Sequence, residues 1–337
     1  MKILVTGGAG FIGSHLCENL LSLGHHIINI DNFHDFYGKN IKIKNVLEST
    51  NNKKYISTVK DIESLIKIVN CDTYKLYFND IRNLEDLDNI FVKEKPQLVI
   101  HLAGLAGVRP SIMKPLLYED VNVRGTMNLL ELCKKYSVNK FIQASSSSIY
   151  GNNTKVPFKE TDIVDFAISP YAFTKKSAEV IGHVYHKLYN IDMFQLRFFT
   201  VYGQRQRPDL AIHKFVKLIL ENKEIQMFGD GSTYRDYTYI QDIIQGILKS
   251  MDYLLVTNNV YEILNLGSSN PISLKEMIET IEKVLNKKAK IKHLPMQPGD
   301  VDKTYADISK AKELISYQPK TSFVSGIENF FNWYKED

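Results

Sequence analysis

Apolar positions along this chain fall into two alternating kinds of run. Short stretches without helical period, at 2–6, 26–31, 74–78, 97–102, 141–145 and 193–198, read as buried strands. Between them lie stretches with apolar residues every three or four positions, at 11–23, 62–69, 83–91, 120–136 and 171–189, which read as helices. Strand and helix alternating to about residue 200 predicts an α/β fold, a doubly wound parallel sheet covered on both faces. Beyond Gly203 the pattern loosens, with helices at 210–221 and 274–285 and proline-bounded loops around Pro295 and Pro298. This predicts a smaller α/β C-terminal lobe made of 203–235 and 269–337, while 1–202 forms the main domain and 236–268 returns to it. The Asn- and Lys-rich stretch 38–54 reads as a surface excursion with no function of its own.

The first strand runs directly into GGAGFIG and then into a helix that Gly24 ends. That context turns a common glycine pattern into the fingerprint of a Rossmann-type dinucleotide site. Gly7, Gly10 and Gly13 suit a tight turn, approach to a pyrophosphate and close packing of helix on strand, and Phe11 and Ile12 open a helix whose N-terminus faces the phosphates. Asp31 ends the second strand where a carboxylate would hold ribose hydroxyls; no Arg or Lys follows closely, which favours NAD over NADP. Asn32, Asp80, Ile81, Leu102, Ala103 and Gly104 at later strand ends, with Asn122, complete the expected cofactor contacts. Asp80 serves equally well as a helix N-cap.

In SPYAFTK, Tyr171 and Lys175 stand one helical turn apart and share a face. An ammonium beside a phenol stabilises the phenolate; bringing a tyrosine pKa from about 10 to about 7 takes roughly 4 kcal/mol. Tyr171 then becomes a general base near neutrality.

Composition narrows the alternatives. A net charge of +4 on 337 residues, with lysines scattered, offers no basic stripe for nucleic acid. No apolar run approaches the length of a membrane span and Met1-Lys2 leads straight into a strand, so a soluble, cytoplasmic protein is expected. Three widely spaced cysteines suit a reducing compartment and no thiolate metal site, and His183 and His186 lack a third ligand, so no metal is expected. The apolar stripe Val180, Ile181, Val184 and Leu188 can pack on the sheet or pair two subunits as a four-helix bundle; a homodimer is the favoured expectation.

With the glycine fingerprint, SSSSIYG at 145–151 and the Tyr171/Lys175 pair, the chain resembles the extended short-chain dehydrogenase/reductases over essentially its whole length. Within them it is most similar to the nucleotide-sugar 4-epimerases that act on UDP-glucuronate, through LAGVRPS with Gly104 in place of an Ala, LRFFTVYG, RPDLA, RDYTYIQD and PMQPGDV. The resemblance implies Ser146, Tyr171 and Lys175 as catalytic residues and NAD as cofactor. It implies Arg109, Ser145, Ser147, Ser148, Thr200, Tyr202, Arg207, Arg235 and Asp300 as contacts of the UDP-sugar; Arg207 is the candidate grip on the sugar carboxylate, since guanidinium holds a carboxylate at two points, with a surface or phosphate-binding arginine the alternative. Ser147 and Ser148 stand where related 4,6-dehydratases carry an Asp-Glu pair, so elimination is disfavoured. Gln297 stands where UDP-glucose epimerases carry an Arg. A 4-epimerase of UDP-glucose or UDP-N-acetylhexosamine and a non-catalytic NAD-sensing protein are the alternatives.

Overall fold

The structure is a computed structural model that describes residues 1–295 and 303–336. The described strands are β1 (Lys2–Thr6), β2 (His26–Asp31), β3 (Tyr74–Phe78), β4 (Leu98–His101), β5 (Lys140–Ser146), β6 (Asp192–Phe198), β7 (Thr200–Tyr202), β8 (Glu224–Phe228), β9 (Tyr234–Tyr239), β10 (Tyr261–Leu266), β11 (Pro271–Ser273) and β12 (Lys290–Leu294). Seven of them form one sheet in the order β10-β6-β5-β4-β1-β2-β3. The α/β, doubly wound reading holds. β1 pairs in parallel with β2 and β4, β2 with β3, and β4 with β5. Burial on both faces explains why these strands read as continuous apolar runs.

The chain runs outward from β1 to β3, then returns to β4 on the other side of β1, so the strand order reverses between β1 and β4. Register makes their C-terminal ends level, since Thr6 pairs with both Ile30 and His101. The crevice beyond such a reversal is where an open α/β sheet receives ligands.

The chain divides into two compact units, Met1–Ile149 with Ser169–Leu196 and Ile247–Ile263, and Tyr150–Ile168 with Arg197–Gly246 and the chain from Leu264 onward. The segment that returns to the first unit is thus shorter than 236–268, and 150–168 joins the second unit. Within the second unit, β9 joins antiparallel β11 to parallel β7, and β12 pairs in parallel with β8. Asp236, fully buried, accepts hydrogen bonds from the backbone of Ser268, Ser269 and Ala306 and from the hydroxyl of Ser268. A buried carboxylate with that many donors ties two loops to β9.

The stretch expected to be a surface excursion is instead a helix, Lys39–Ser49, that buries Lys42, Ile43 and Asn45 through Ser49. Its polar residues are its packing residues: Asn45 donates to the Ala9 carbonyl at 3.1 Å and Lys42 reaches Asp31. Ile43, Val46 and Leu47 are buried with them, an apolar stripe too short to stand out among so many polar residues.

Candidate active site

At the end of β1 the backbone itself shapes the site. Gly7 has φ +77, and a Cβ there would lie 2.8 Å from the Ala103 nitrogen beyond β4. At Gly13 a Cβ would lie 2.1 Å from the Gly7 carbonyl oxygen. Only glycine permits either approach. The helix that follows, Phe11–Ser22, has Gly10 as its N-cap and no side-chain cap or acidic residue in its first turn. Its leading N–H groups form the electropositive end on which a diphosphate binds. The residues present therefore fit a dinucleotide.

Asp31 is 6 % exposed and accepts from Ala9 N at 3.0 Å and Phe33 N at 2.8 Å, which locks the carboxylate beside the glycine turn. Its other neighbour was invisible in the order of residues. The Lys42 ammonium stands 3.7 Å from Asp31 and is itself buried, so a cation does approach this carboxylate, from the Lys39–Ser49 helix. Asp31 thus carries less bare negative charge than the sequence suggests.

Asn32 donates to Asp80 at 2.8 Å, and Arg82 grips the same carboxylate through Nε and Nη2 while reaching Asp120 through Nη1. Hydrogen bonds from Arg82 hold the Asp80 carboxyl down at about 2. Asp80 is not an N-cap: Asn83 accepts from Asp86 N and fills that role. Ile81 is buried against Gly125, and its carbonyl accepts from Asn128. Asp80 and Ile81 thus fix the strand end.

Beyond β4, Leu102 N donates to the Thr6 carbonyl and Ala103 N to the Thr6 hydroxyl. A Cβ on Gly104 would lie 3.0 Å from Asn122 Oδ1 and 3.6 Å from Lys175 Nζ, so glycine here leaves room at the lysine. Asn122, expected at the cofactor, is buried, with its amide bonded to Leu105 N, Leu105 O and the Thr174 hydroxyl. It links the loop after β4 to the helix that carries Tyr171. Asn122 sits in a wide π turn, Asp120–Arg124, ahead of the helix Gly125–Lys135, where one continuous helix was expected. Its carbonyl accepts from the Thr126 hydroxyl at 2.6 Å, and Thr126 in turn contacts the ring of His101 at 3.0 Å. Burial pushes His101 down to about 3, which keeps it neutral.

The helix Pro170–Tyr189 starts where its sequence dictates: Ser169 accepts from Ala172 N, proline takes the first turn, and Asn190 ends it in the left-handed region. Tyr171 is half-buried with the ring of Tyr118 edge-on at 6.3 Å. Lys175 is 8 % exposed and donates to the Ala144 carbonyl at 2.7 Å. Burial pulls its ammonium down to about 8, and the charge of Glu179 opposes that shift.

Successive residues of β5 then face different tasks. Ser146, with Oγ 3.1 Å from both Ser148 Oγ and Ser148 N, is placed to serve as the site hydroxyl. Ser147 and Ser148 are half-buried beside it. Ser145, expected at the sugar, is instead buried and donates to Glu179 at 2.6 Å. Sequence reasoning missed Glu179 and Lys42, although Glu179 completes a four-residue spacing from Tyr171 through Lys175 that a helix-face reading could have flagged.

The other expected residues are dispersed. Arg109 is exposed on the short helix Val108–Met113 of the first unit. In the second unit, Thr200 is half-buried on β7, and Arg235 is half-buried with Nη1 on the Tyr234 carbonyl. Arg207 holds Asp209 in a two-point contact, at 3.1 and 3.0 Å. Tyr202 is 1 % exposed among Tyr237, Tyr239 and Phe323, so it is a core residue rather than a sugar contact. Asp300 and Gln297 lie outside the described residues. His183 and His186 both pack on Tyr261, and no group of three His, Cys, Asp or Glu among the described residues is arranged to hold a metal ion.

Residues 4–330 match the family model described as GDP-mannose 4,6 dehydratase. An uncharacterised protein of Methanocaldococcus jannaschii is 44% identical over 100% of this chain and 97% of its own. A UDP-glucuronate 4-epimerase of Thermodesulfobacterium geofontis is 42% identical over 99% of this chain and 96% of its own length. Among solved structures, UDP-glucuronic acid 4-epimerase from Bacillus cereus, in complex with UDP-glucuronic acid and NAD, superposes with a TM-score of 0.87 at 38% identity, covering 100% of this chain and 99% of that one. With its glycine turn, its Tyr171/Lys175 helix and these full-length matches, the chain belongs to the extended short-chain dehydrogenase/reductases, in the family described as GDP-mannose 4,6 dehydratase.

Proposed function

We propose that this chain is an NAD-dependent 4-epimerase of a UDP-sugar, converting UDP-glucuronate to UDP-galacturonate. The observation that carries the chemistry is the Tyr171/Lys175 pair one turn apart, at the end of the strand that supplies Ser146. Relatives and structural neighbours bearing the name UDP-glucuronate 4-epimerase support the substrate.

Tyr171, as phenolate, takes the proton of the sugar 4-hydroxyl, and Lys175 supports the negative charge that this requires. Ser146 donates to the same oxygen as it becomes a ketone. A nicotinamide dinucleotide, when bound, supplies the reversible acceptor for the C4 hydrogen. The 4-keto sugar turns over about its link to the diphosphate, and Tyr171 returns a proton to the oxygen on the inverted carbon. Because the ring must rotate, binding is concentrated on the UDP rather than on the sugar.

Dehydration, the activity in the family's description, requires an acid that expels the C6 hydroxyl. The two positions after Ser146 are Ser147 and Ser148, and Glu179 is turned to Ser145. Retention of the C6 substituent follows.

A glucuronate oxidised at C4 is a β-keto acid, and its carboxylate must be held out of the alignment that loses carbon dioxide. Arg207 is the proposed clamp, since guanidinium grips carboxylates at two points and Arg207 already does so with Asp209. Binding substrate then means exchanging one carboxylate for another. Thr200 donates a further hydrogen bond, and Arg235 and Arg109 supply charge to the diphosphate.

The face of the helix Pro170–Tyr189 turned from the sheet exposes Val180, Val184 and Leu188, with Met127 exposed on the helix Gly125–Lys135. A second copy pairing these helices as a four-helix bundle covers this surface. No described helix is long and apolar enough to cross a membrane. The deciding experiment incubates the protein and NAD with UDP-glucuronate and, separately, UDP-glucose, following products by NMR with a carbon dioxide assay. UDP-galacturonate without carbon dioxide is expected; conversion of UDP-glucose alone would move the protein to neutral hexoses.

A further inference from the structure

Three consecutive residues of β5 attend to three different groups: the Ala144 carbonyl holds Lys175, the Ser145 hydroxyl holds Glu179, and Ser146 presents the site hydroxyl. Glu179 is 2 % exposed and lies one helical turn beyond Lys175, which lies one turn beyond Tyr171. A carboxylate removed from water needs a countercharge as well as a hydrogen bond. Residues three or four apart on a helix are neighbours, so Lys176 and Lys175 are the lysines in register, and of the two Lys175 is the buried one. The backbone of Glu179 is fixed as well, its carbonyl accepting from the Tyr261 hydroxyl.

We propose that Glu179 is a positioning residue that acts through Lys175: its carboxylate, fixed by Ser145, keeps the buried ammonium charged so that Tyr171 is the group that gives up a proton first. The pair can lose one proton in two ways, leaving phenolate with ammonium or phenol with neutral amine. Glu179 is one turn from Lys175 and two from Tyr171, so its attraction for the ammonium outweighs its repulsion of the phenolate. It therefore selects the first form, the one competent for catalysis. The direction of the charge effect on Lys175, upward against burial, agrees.

Other titratable groups on neighbouring elements are engaged elsewhere. His101 on β4 is neutral and bonded to Thr6 and Thr126, and Tyr118 donates to the Ala106 carbonyl. Asp120 pairs with Arg82, Glu131 with Tyr185 and Lys134, and Asp192 with Lys140. Arg109 is exposed.

This inference rests on Tyr171 being the base, and its test needs no sugar. The ultraviolet absorbance of the Tyr171 phenolate is isolated by subtracting the titration of Tyr171→Phe, in the native background and in Glu179→Gln. Glu179→Gln keeps a hydrogen-bond partner for Ser145 and removes the charge, so the phenolate midpoint should rise by about one pH unit or more, a tenfold loss of phenolate at neutral pH. Turnover should fall in proportion with KM unchanged, and Glu179→Asp should recover part of it. An unmoved midpoint in a folded Glu179→Gln protein would overturn the proposal. Should that variant not fold, Ser145→Ala, which keeps the charge but frees the carboxylate, should raise the midpoint by less; no rise would overturn it equally. The expected shift in a protein that epimerises nothing would leave this inference standing and remove the proposed reaction.

Discussion

Around the ends of β1, β4 and β5 the backbone and a single helix build the site, whereas Tyr202, Arg207 and Arg235 are each engaged with neighbours in their own unit. Gly7, Gly13 and Gly104 leave space by having no side chain, and Tyr171 and Lys175 are placed by one helical turn. In the second unit Tyr202 is locked in an aromatic cluster and Arg207 is occupied by Asp209. The first region is thus set by main-chain geometry, whereas the sugar contacts proposed in the second are side chains that already have partners. The first is rigid and legible; the second depends on loops.

Tyr171→Phe breaks the first region most severely. Removing a general base costs about 10² to 10⁴ in turnover, and dinucleotide binding, measured by calorimetry, should be nearly unchanged. Full activity would dissolve the assignment. Gly13→Ala comes next: with a Cβ 2.1 Å from the Gly7 oxygen the turn must open. Overpacking of this kind costs roughly 1–3 kcal/mol, seen as a lower melting temperature together with weakened dinucleotide binding.

In the second region effects should be selective. Arg207→Ala is expected to lower kcat/KM for UDP-glucuronate at least about tenfold more than for UDP-glucose, the scale of a charge-assisted pair, or to release carbon dioxide. Equal losses would take the clamp away. Tyr202→Phe should be milder. Its hydroxyl meets the Phe323 carbonyl only at 3.4 Å, so stability should change by less than about 1 kcal/mol and turnover hardly at all. A collapse of activity would restore Tyr202 to the sugar site.

The smallest effect concerns pH. Asp80 is held at about 2 in the folded protein by Arg82, below its unfolded value near 3.9. Its contribution is therefore fully present above the unfolded value and lost as pH falls through the folded one. Asp80→Asn should flatten the fall in stability between about pH 4 and pH 2 in acid unfolding curves. An unchanged slope would show that the Arg82 contact does not differ between folded and unfolded chains.

Which parts were legible follows from the same contrast. The strands were readable because both faces are buried, and the catalytic helix because Ser169, Pro170 and its apolar stripe mark its start and period. The Lys39–Ser49 helix was not, since it buries lysine, asparagine and glutamate beside Ile43, Val46 and Leu47, and its Lys42 meets Asp31 eleven positions back along the chain. The bonds of Asn122 to Thr174 and of Ser145 to Glu179 were not legible, because one-dimensional spacing does not tell which face of a strand or turn a hydroxyl or amide takes. Tyr202 failed because β7 buries it beside Val201, among Tyr237, Tyr239 and Phe323.

The central claim is that C4 is oxidised and reduced in place, with Tyr171 moving only the hydroxyl proton. It is tested most directly by supplying UDP-glucuronate deuterated at C4 and recording the product by NMR and mass spectrometry. UDP-galacturonate that keeps the deuterium at C4 is the predicted result. Loss of the label to solvent, or its retention in a product lacking the carboxylate, would contradict the account.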